Sequence, residues 1–140
     1  MTAPRYTVVD HTGDFAFEVE AADLPSLVAA AVLAAADAQF GLESLSAIEP
    51  VEVACDGADP ELLLFSALSE AVFLADARGL VPVTAEAAAV PGGGLLLRLG
   101  CDRLDPARHA ARVLFKAATL HGLRVERTAA GVRATVVMDT

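Results

Sequence analysis

From residue 14 to residue 20 the large apolar side chains fall on odd positions only, Phe15, Phe17 and Val19. A period of two predicts a half-buried strand with that set in the core, and it places Asp14, Ala16, Glu18 and Glu20 on the opposite face. Asp14 then starts a strand while pointing away from the core. Asp23 follows as a helix cap, ahead of an Ala, Leu and Val run that lasts to about Gln39, with Gly41 just beyond its end.

A strand from about Ile48 to Cys55 alternates Val51 and Val53 with Glu52 and closes on the Asp56-Gly57 turn. Asp59, Pro60 and Glu61 supply a cap, a first-turn proline and a charge suited to the positive end of a helix dipole, and Gly79 after Arg78 ends that helix. From Leu62 to Ala75 its surface is apolar on most sides, which predicts a central helix packed on more than one face. The remainder reads as strands: Leu80 to Val90, a Pro91-Gly92-Gly93-Gly94 turn, Leu95 to Cys101, Val113 to Leu120, Leu123 to Arg127 and Val132 to Met138. Two helices early and hairpin-linked strands late predict an α+β fold, an antiparallel or mixed sheet packed with two main helices. At 140 residues, the chain reads as one domain, residues 1–140.

Composition narrows the functional classes. A 55% hydrophobic share excludes a disordered chain, and a net charge of −9 argues against an autonomous binder of nucleic acid or anionic membrane. A protein partner is expected, and no stable direct contact with nucleic acid. No apolar run reaches the roughly 18 residues of a membrane span and no signal-peptide pattern opens the chain, so a cytoplasmic protein is expected. The charge is uneven: residues 1–97 hold two basic and fifteen acidic side chains, residues 98–140 eight basic and four acidic. That asymmetry marks a docking face if those Arg residues cluster in space, which the sequence alone does not decide. Cys55 and Cys101 are far apart without CxxC spacing and read as small buried apolar residues.

Four places carry candidate chemistry. Asp10-His11-Thr12-Gly13-Asp14 gathers two carboxylates, an imidazole and a hydroxyl between two strands. These are also ordinary turn residues, and a hard cation such as Ca²⁺ or Mg²⁺ would need a second carboxylate from elsewhere in the chain. In the last strand, alternation sets Val132, Ala134, Val136 and Met138 on one face and Arg133, Thr135, Val137 and Asp139 on the other, with Asp139 beside the carboxylate of the final residue, Thr140. Arg103 to His109 reads as a short turn capped by Asp105 and opened by Pro106, with His109 expected as a surface or capping group. Lys116, the single lysine, falls in an apolar strand where alternation groups it with Leu114 and Ala118. A lysine there either snorkels to solvent or contacts phosphate or a partner's carboxylate. No GxxxxGK[ST], GxSxG or HExxH motif is present, so nothing in the residues themselves supports an enzyme.

The opening Asp10-His11-Thr12-Gly13-Asp14, then Leu104-Asp105-Pro106 with Arg108-His109, Lys116-Ala117-Ala118-Thr119-Leu120-His121-Gly122-Leu123, and Val137-Met138-Asp139 at the end, together resemble the archease family over nearly the whole chain. Each motif alone is loose, and the four in this order and spacing are specific. The sequence departs from the family pattern at Gly13, in place of the usual alanine, at Leu120, where an aromatic is common, and at Cys101, where glutamate is usual.

The resemblance implies a small α+β helper of the RtcB-type RNA ligase, the GTP- and metal-dependent enzyme that seals RNA ends in tRNA splicing and RNA repair. A non-catalytic accessory factor is expected, one that promotes ligase guanylylation and multiple turnover. It implies further that Asp14 and Asp139 hold a divalent cation, Ca²⁺ in the first instance, with Thr140 adding an oxygen. Lys116 matches the family's functional lysine, and Asp10 and His11 belong to the same motif. Competing readings are a metal-binding chaperone or modulator of another RNA-modifying enzyme, such as a methyltransferase, and a stand-alone metal hydrolase.

Overall fold

In the computed structural model, which describes residues 5–9 and 14–140, each helix begins on an aspartate with a proline in the first turn. The Asp23 carboxylate accepts the Ser26 N–H at 2.9 Å and opens α1 (Leu24–Phe40). The Asp59 carboxylate accepts the Leu62 N–H at 2.9 Å and opens α2 (Pro60–Arg78). These bonds satisfy donors that have no partner inside the helix. Gly79 closes α2 in the left-handed conformation at φ 62°, where its N–H still reaches the Ala75 carbonyl.

Seven strands accompany them: β1 (Tyr6–Val9), β2 (Phe15–Ala21), β3 (Glu49–Cys55), β4 (Leu80–Ala89), β5 (Leu95–Arg103), β6 (Ala117–Thr128) and β7 (Gly131–Asp139), with a short 3₁₀ turn at Leu42–Ser44. They form two antiparallel sheets, β1-β2-β7-β6 and β3-β5-β4. The fold is therefore α+β, two helices with two sheets, a division that alternation along single strands does not reveal.

The helices bridge the sheets. α1 packs on β4 of one sheet and on β2 and β7 of the other, while α2 packs on β6 as well as on β3 and β4. One cluster unites Phe17, Val19, Val136 and Met138 from the four-stranded sheet with Val51, Val53, Leu97 and Leu99 from the three-stranded sheet around both helices. The more enclosed helix is α1 and not α2, contrary to the sequence expectation. Eleven α1 residues are buried, six of them alanines that let neighbouring backbone approach closely, whereas α2 leaves Phe73 57% exposed. Apolar residues all round a helix do not fix which helix is central, because α2 lies over the edge of a sheet. There its Glu61 carboxylate accepts the Val125 N–H of β6 at 2.9 Å and occupies part of an otherwise unpaired strand edge.

The expected strands at Val113–Leu120 and Leu123–Arg127 are one strand, β6, which begins only at Ala117. Its register with β7 jumps between Thr119 and Arg124, so residues 120–123 bulge out of the ladder. Gly122 at φ 80° and a bond from the His121 N–H to Thr119 Oγ1 shape this bulge. The apparent interruption of the apolar pattern is thus a bulge within a strand.

The uneven charge resolves largely into ion pairs between the two parts of the chain. Arg98 meets Glu52 at 3.0 Å, Arg103 meets Glu49, Arg112 meets Glu43 at 3.0 Å and Arg133 meets Glu20 at 3.8 Å. The basic C-terminal segment is threaded through acidic neighbours, which dilutes it as a docking field.

Candidate functional site at one end of the four-stranded sheet

The β2–β7 register pairs Phe15 with Met138, and one step beyond that pair stand Asp14 and Asp139. On the other side of β7, Asp139 pairs with Ala117 of β6, one residue after Lys116. The Lys116 N–H donates to the Asp139 carbonyl at 2.8 Å. Three charged residues from three separate segments, Asp14 more than a hundred residues from the other two, therefore reach the same end of one sheet, with Asp139 in the middle. Asp14 lies at a bend just ahead of β2 and is half-buried; Asp139 and Thr140 are exposed.

Each of the three follows or precedes a large apolar side chain seated in the core. Phe15 packs on Phe115 with ring centroids 5.2 Å apart, and Phe15, Phe115 and Met138 all join the main cluster. A strand turns successive side chains to opposite faces, so fixing these anchors fixes the backbone from which the charged neighbours emerge. Ala16 and Val137 pair on the outer face and are nevertheless buried, although they lie outside the core clusters.

The strand expected around Lys116 is corrected. Residues 113–116 have irregular backbone; Leu114 and Lys116 are exposed, Phe115 is buried, and Ala118 faces Met138 from within β6. The shared face assigned to Leu114, Lys116 and Ala118 thus breaks where the ladder begins. Lys116 has no ion pair among the described residues. Leu114 at 61% and Leu120 at 52% exposure flank it along the chain. Asp10 and His11 lie outside the described residues.

Of the two roles expected for His109, surface or capping group, the first is corrected, since the side chain is buried, while its ring does cap a backbone donor of the turn. Its Nδ1 accepts the Asp105 N–H at 2.9 Å, which leaves the proton on Nε2, 3.4 Å from Asp102 Oδ2. Both side chains are almost fully enclosed. Asp102 also accepts the N–H groups of Ser46 and Arg103 at 2.9 and 2.8 Å. Burial pushes its pKa up, but those two donors, with His109 and Arg108 nearby, outweigh burial and hold it below the ordinary 3.8. Sequence reasoning passed over Asp102; a carboxylate next to Cys101 near the end of an apolar strand was the available signal. Pro106 does open a turn at 106–108, and Asp105 Oδ1 accepts the Ala107 N–H.

Cys55 and Cys101 are free and buried, and burial raises both thiols to about 11. Among the described residues no group of three or more His, Cys, Asp or Glu side chains is arranged to hold a metal ion. Among the described residues, the donors at the sheet end are the Asp14 and Asp139 carboxylates and the oxygens of Thr140, oxygens of the kind that suit a hard cation completed by further oxygens or water. No helix among the described residues is long and apolar enough to cross a membrane.

A family model described as the Archease protein family (MTH1598/TM1083) matches residues 6–140. Protein archease of Archaeoglobus fulgidus is 34% identical over 138 residues, covering 96% of this chain and 98% of that protein. Protein archease of Pyrococcus furiosus is 26% identical over 121 residues, covering 84% and 85%. Among solved structures, the solution structure of Methanobacterium thermoautotrophicum protein 1598 matches with a TM-score of 0.72 at 22% identity, over 96% of this chain and 98% of that one. The crystal structure of an archease, possible chaperone, from Thermotoga maritima matches with a TM-score of 0.64 at 20% identity, over 94% of each chain. At these identities the structural likeness establishes the shared fold.

Proposed function

The chain belongs to the archease family, and from that premise we propose that it is a non-catalytic protein cofactor of an RtcB-type RNA ligase, acting in the cytoplasm with a bound divalent cation. The observation that supports this reading is the convergence of Asp14, Lys116 and Asp139, three residues from distant segments, on one end of the β1-β2-β7-β6 sheet.

In this reading Asp14 and Asp139 hold the cation, with an oxygen of Thr140 beside them, and Ca²⁺ is the first candidate. When bound, the cation places positive charge where phosphate oxygens carry negative charge. Lys116 adds a mobile point charge next to it, suited to a phosphate or a ligase carboxylate. The protein promotes the guanylylated state of the ligase and its repeated turnover; the chemistry of sealing stays on the ligase.

The test is ligation of RNA bearing a 3′-phosphate or 2′,3′-cyclic phosphate to 5′-hydroxyl RNA by the same organism's ligase, present in sub-stoichiometric amount, with and without this protein. Conversion from about one turnover to many, with faster guanylylation, is the expected result. No change in either quantity, with both proteins folded and metal supplied, overturns the ligase reading.

One observation favours a second reading. Leu114 and Leu120 lie exposed along the chain on either side of Lys116, and the Thermotoga relative is described as a possible chaperone. A general chaperone would suppress aggregation of several unrelated clients; a dedicated cofactor of the ligase, or of another RNA-modifying enzyme such as a methyltransferase, would not.

A further inference from the structure

The stretch that delivers Lys116 to Asp139 has no secondary structure of its own, and two of its hydrogen bonds converge on one residue, Gln39, one on its backbone carbonyl and one on its side chain. Among the described residues, the N–H groups of residues 110–116 that find protein acceptors are those of Arg112, Phe115 and Lys116. The Arg112 N–H donates to the Gln39 carbonyl at 2.7 Å, and the Phe115 N–H donates to Gln39 Oε1 at 2.9 Å. The Gln39 amide is oriented by its own Nε2, which donates to the Ala35 carbonyl at 3.2 Å one turn back in α1. Gln39 thus grips the segment at two points, three residues apart, with an acceptor whose direction α1 sets.

The geometry matters because residues 114–116 alternate without a strand ladder to hold them. Phe115 turns inward onto Phe15 and Lys116 turns outward, before β6 begins at Ala117. A ladder partner normally enforces such alternation, and the Phe115 N–H has none; the Gln39 carboxamide stands in its place. The next N–H along the chain, that of Lys116, is the one that reaches Asp139. We infer that Gln39 is a positioning residue, which through its bond to the Phe115 N–H sets the backbone that carries Lys116 beside Asp139. A buried phenyl ring alone leaves the peptide plane free to rotate, and a polar N–H without an acceptor would draw it toward water. The activity part of this inference rests on the ligase reading; the structural part does not.

The experiment compares Gln39→Met, which keeps the shape and removes the acceptor, with Gln39→Glu, which keeps an acceptor oxygen. Amide exchange is followed residue by residue, and ligase stimulation is measured against concentration of the variant. In Gln39→Met the Phe115 and Lys116 amides should exchange faster while Val125 and Ala134 in the β6–β7 ladder do not change. Maximal stimulation should fall about tenfold with the half-maximal concentration unchanged, since a misplacement of the order of 1 Å is costly to a positioned group. Gln39→Glu should keep slow exchange at both amides and more than about half the stimulation. Unchanged exchange at Phe115 in Gln39→Met overturns the inference, and so does equal loss in the two variants. Faster exchange with undiminished stimulation overturns its functional half. Should the wild-type protein fail to stimulate the ligase, the ligase reading falls and the exchange data alone decide whether Gln39 positions this segment.

Discussion

Lys116 and Asp139 are joined through backbone, with the Lys116 N–H on the Asp139 carbonyl at 2.8 Å, so the ammonium and the carboxylate of the pair are both left for other partners. Side chains absent from the packing can be changed with little effect on the fold, which separates function from stability here. Replacing Lys116 with Met should leave unfolding free energy within about 0.5 kcal/mol of wild type and remove ligase stimulation, while Lys116→Arg restores it only in part because a guanidinium is a planar fork and not a compact charge. Urea denaturation beside the ligation assay checks both; undiminished stimulation by Lys116→Met would remove the lysine from the proposed site.

Asp14→Ala should abolish stimulation and Ca²⁺ binding with the far-UV spectrum intact, and Asp139→Asn should weaken both. Isothermal titration with Ca²⁺ supplies a readout independent of the ligase. Stimulation by Asp14→Ala equal to that of wild type would sink the proposed cation role.

How far this site is legible before folding depends on which residues lie in regular ladders. Alternation alone sends Asp139 away from the core, and the register of β2 against β7 then accounts for its place next to Asp14. Both helix starts at Asp23 and Asp59 follow from cap chemistry that acts within four residues. What sequence periodicity missed depends on distant partners. Lys116 sits before its strand begins, in a segment that Gln39 holds through the Phe115 N–H across 76 residues of sequence, and Asp102 is enclosed because Ser46 supplies a donor across 56. No local pattern encodes such pairings. The centrality of α1 over α2 is likewise set by where each helix meets a sheet, through its face or over its edge.

Asp102 gives the protein an acid-sensitive contact. Its folded-state pKa lies below the ordinary 3.8, so its stabilisation is fully present at neutral pH and is lost as pH falls from that value toward the lower folded-state pKa. Asp102→Asn should be less stable than wild type by about 3 kcal/mol at pH 7, because an Asn has one accepting oxygen and cannot take the Ser46 and Arg103 N–H groups on two, and it carries no charge to face His109 and Arg108. The gap should shrink as pH drops below about 4. Urea unfolding at pH 7 and pH 3 measures it, and a gap that stays constant would exclude the carboxylate as its source. His109→Ala should also destabilise, by about 2 kcal/mol, while ligase stimulation assayed well below the melting temperature is retained.

Two glycines compare backbone strain alone with strain joined to crowding. Gly79 caps α2 at φ 62° with open space where a Cβ would project, so Gly79→Ala should cost about 1 kcal/mol, the ordinary price of a left-handed alanine. Gly131 opens β7, and a Cβ there would run into the Ala21 carbonyl and the Ala22 backbone, neither of which is a flexible side-chain end. Gly131→Ala must therefore move the β2 end or the β6–β7 turn, with a cost well above that of Gly79→Ala, about 3 kcal/mol or more. Thermal melts of the two variants side by side decide it; equal losses would mean that the β2–β7 contact yields without strain.

The cysteines provide a check on the packing of the β3-β5-β4 sheet at its two ends. Cys55 ends β3 and Cys101 lies near the end of β5, each with its thiol raised to about 11 by burial, so almost no thiolate exists at pH 7 and little of either sulfur meets solvent. A thiol reagent such as dithionitrobenzoate should react with neither residue in the folded protein within the time that denatured protein reacts with two equivalents. Intermediate urea then discriminates between modes of opening. If this sheet opens as one unit with the core cluster that both cysteines join, both thiols become reactive at the same urea concentration and with the same slope. Reaction of one thiol well before the other would show that the β3-β5-β4 sheet frays from one end, and would count against a single cooperative core.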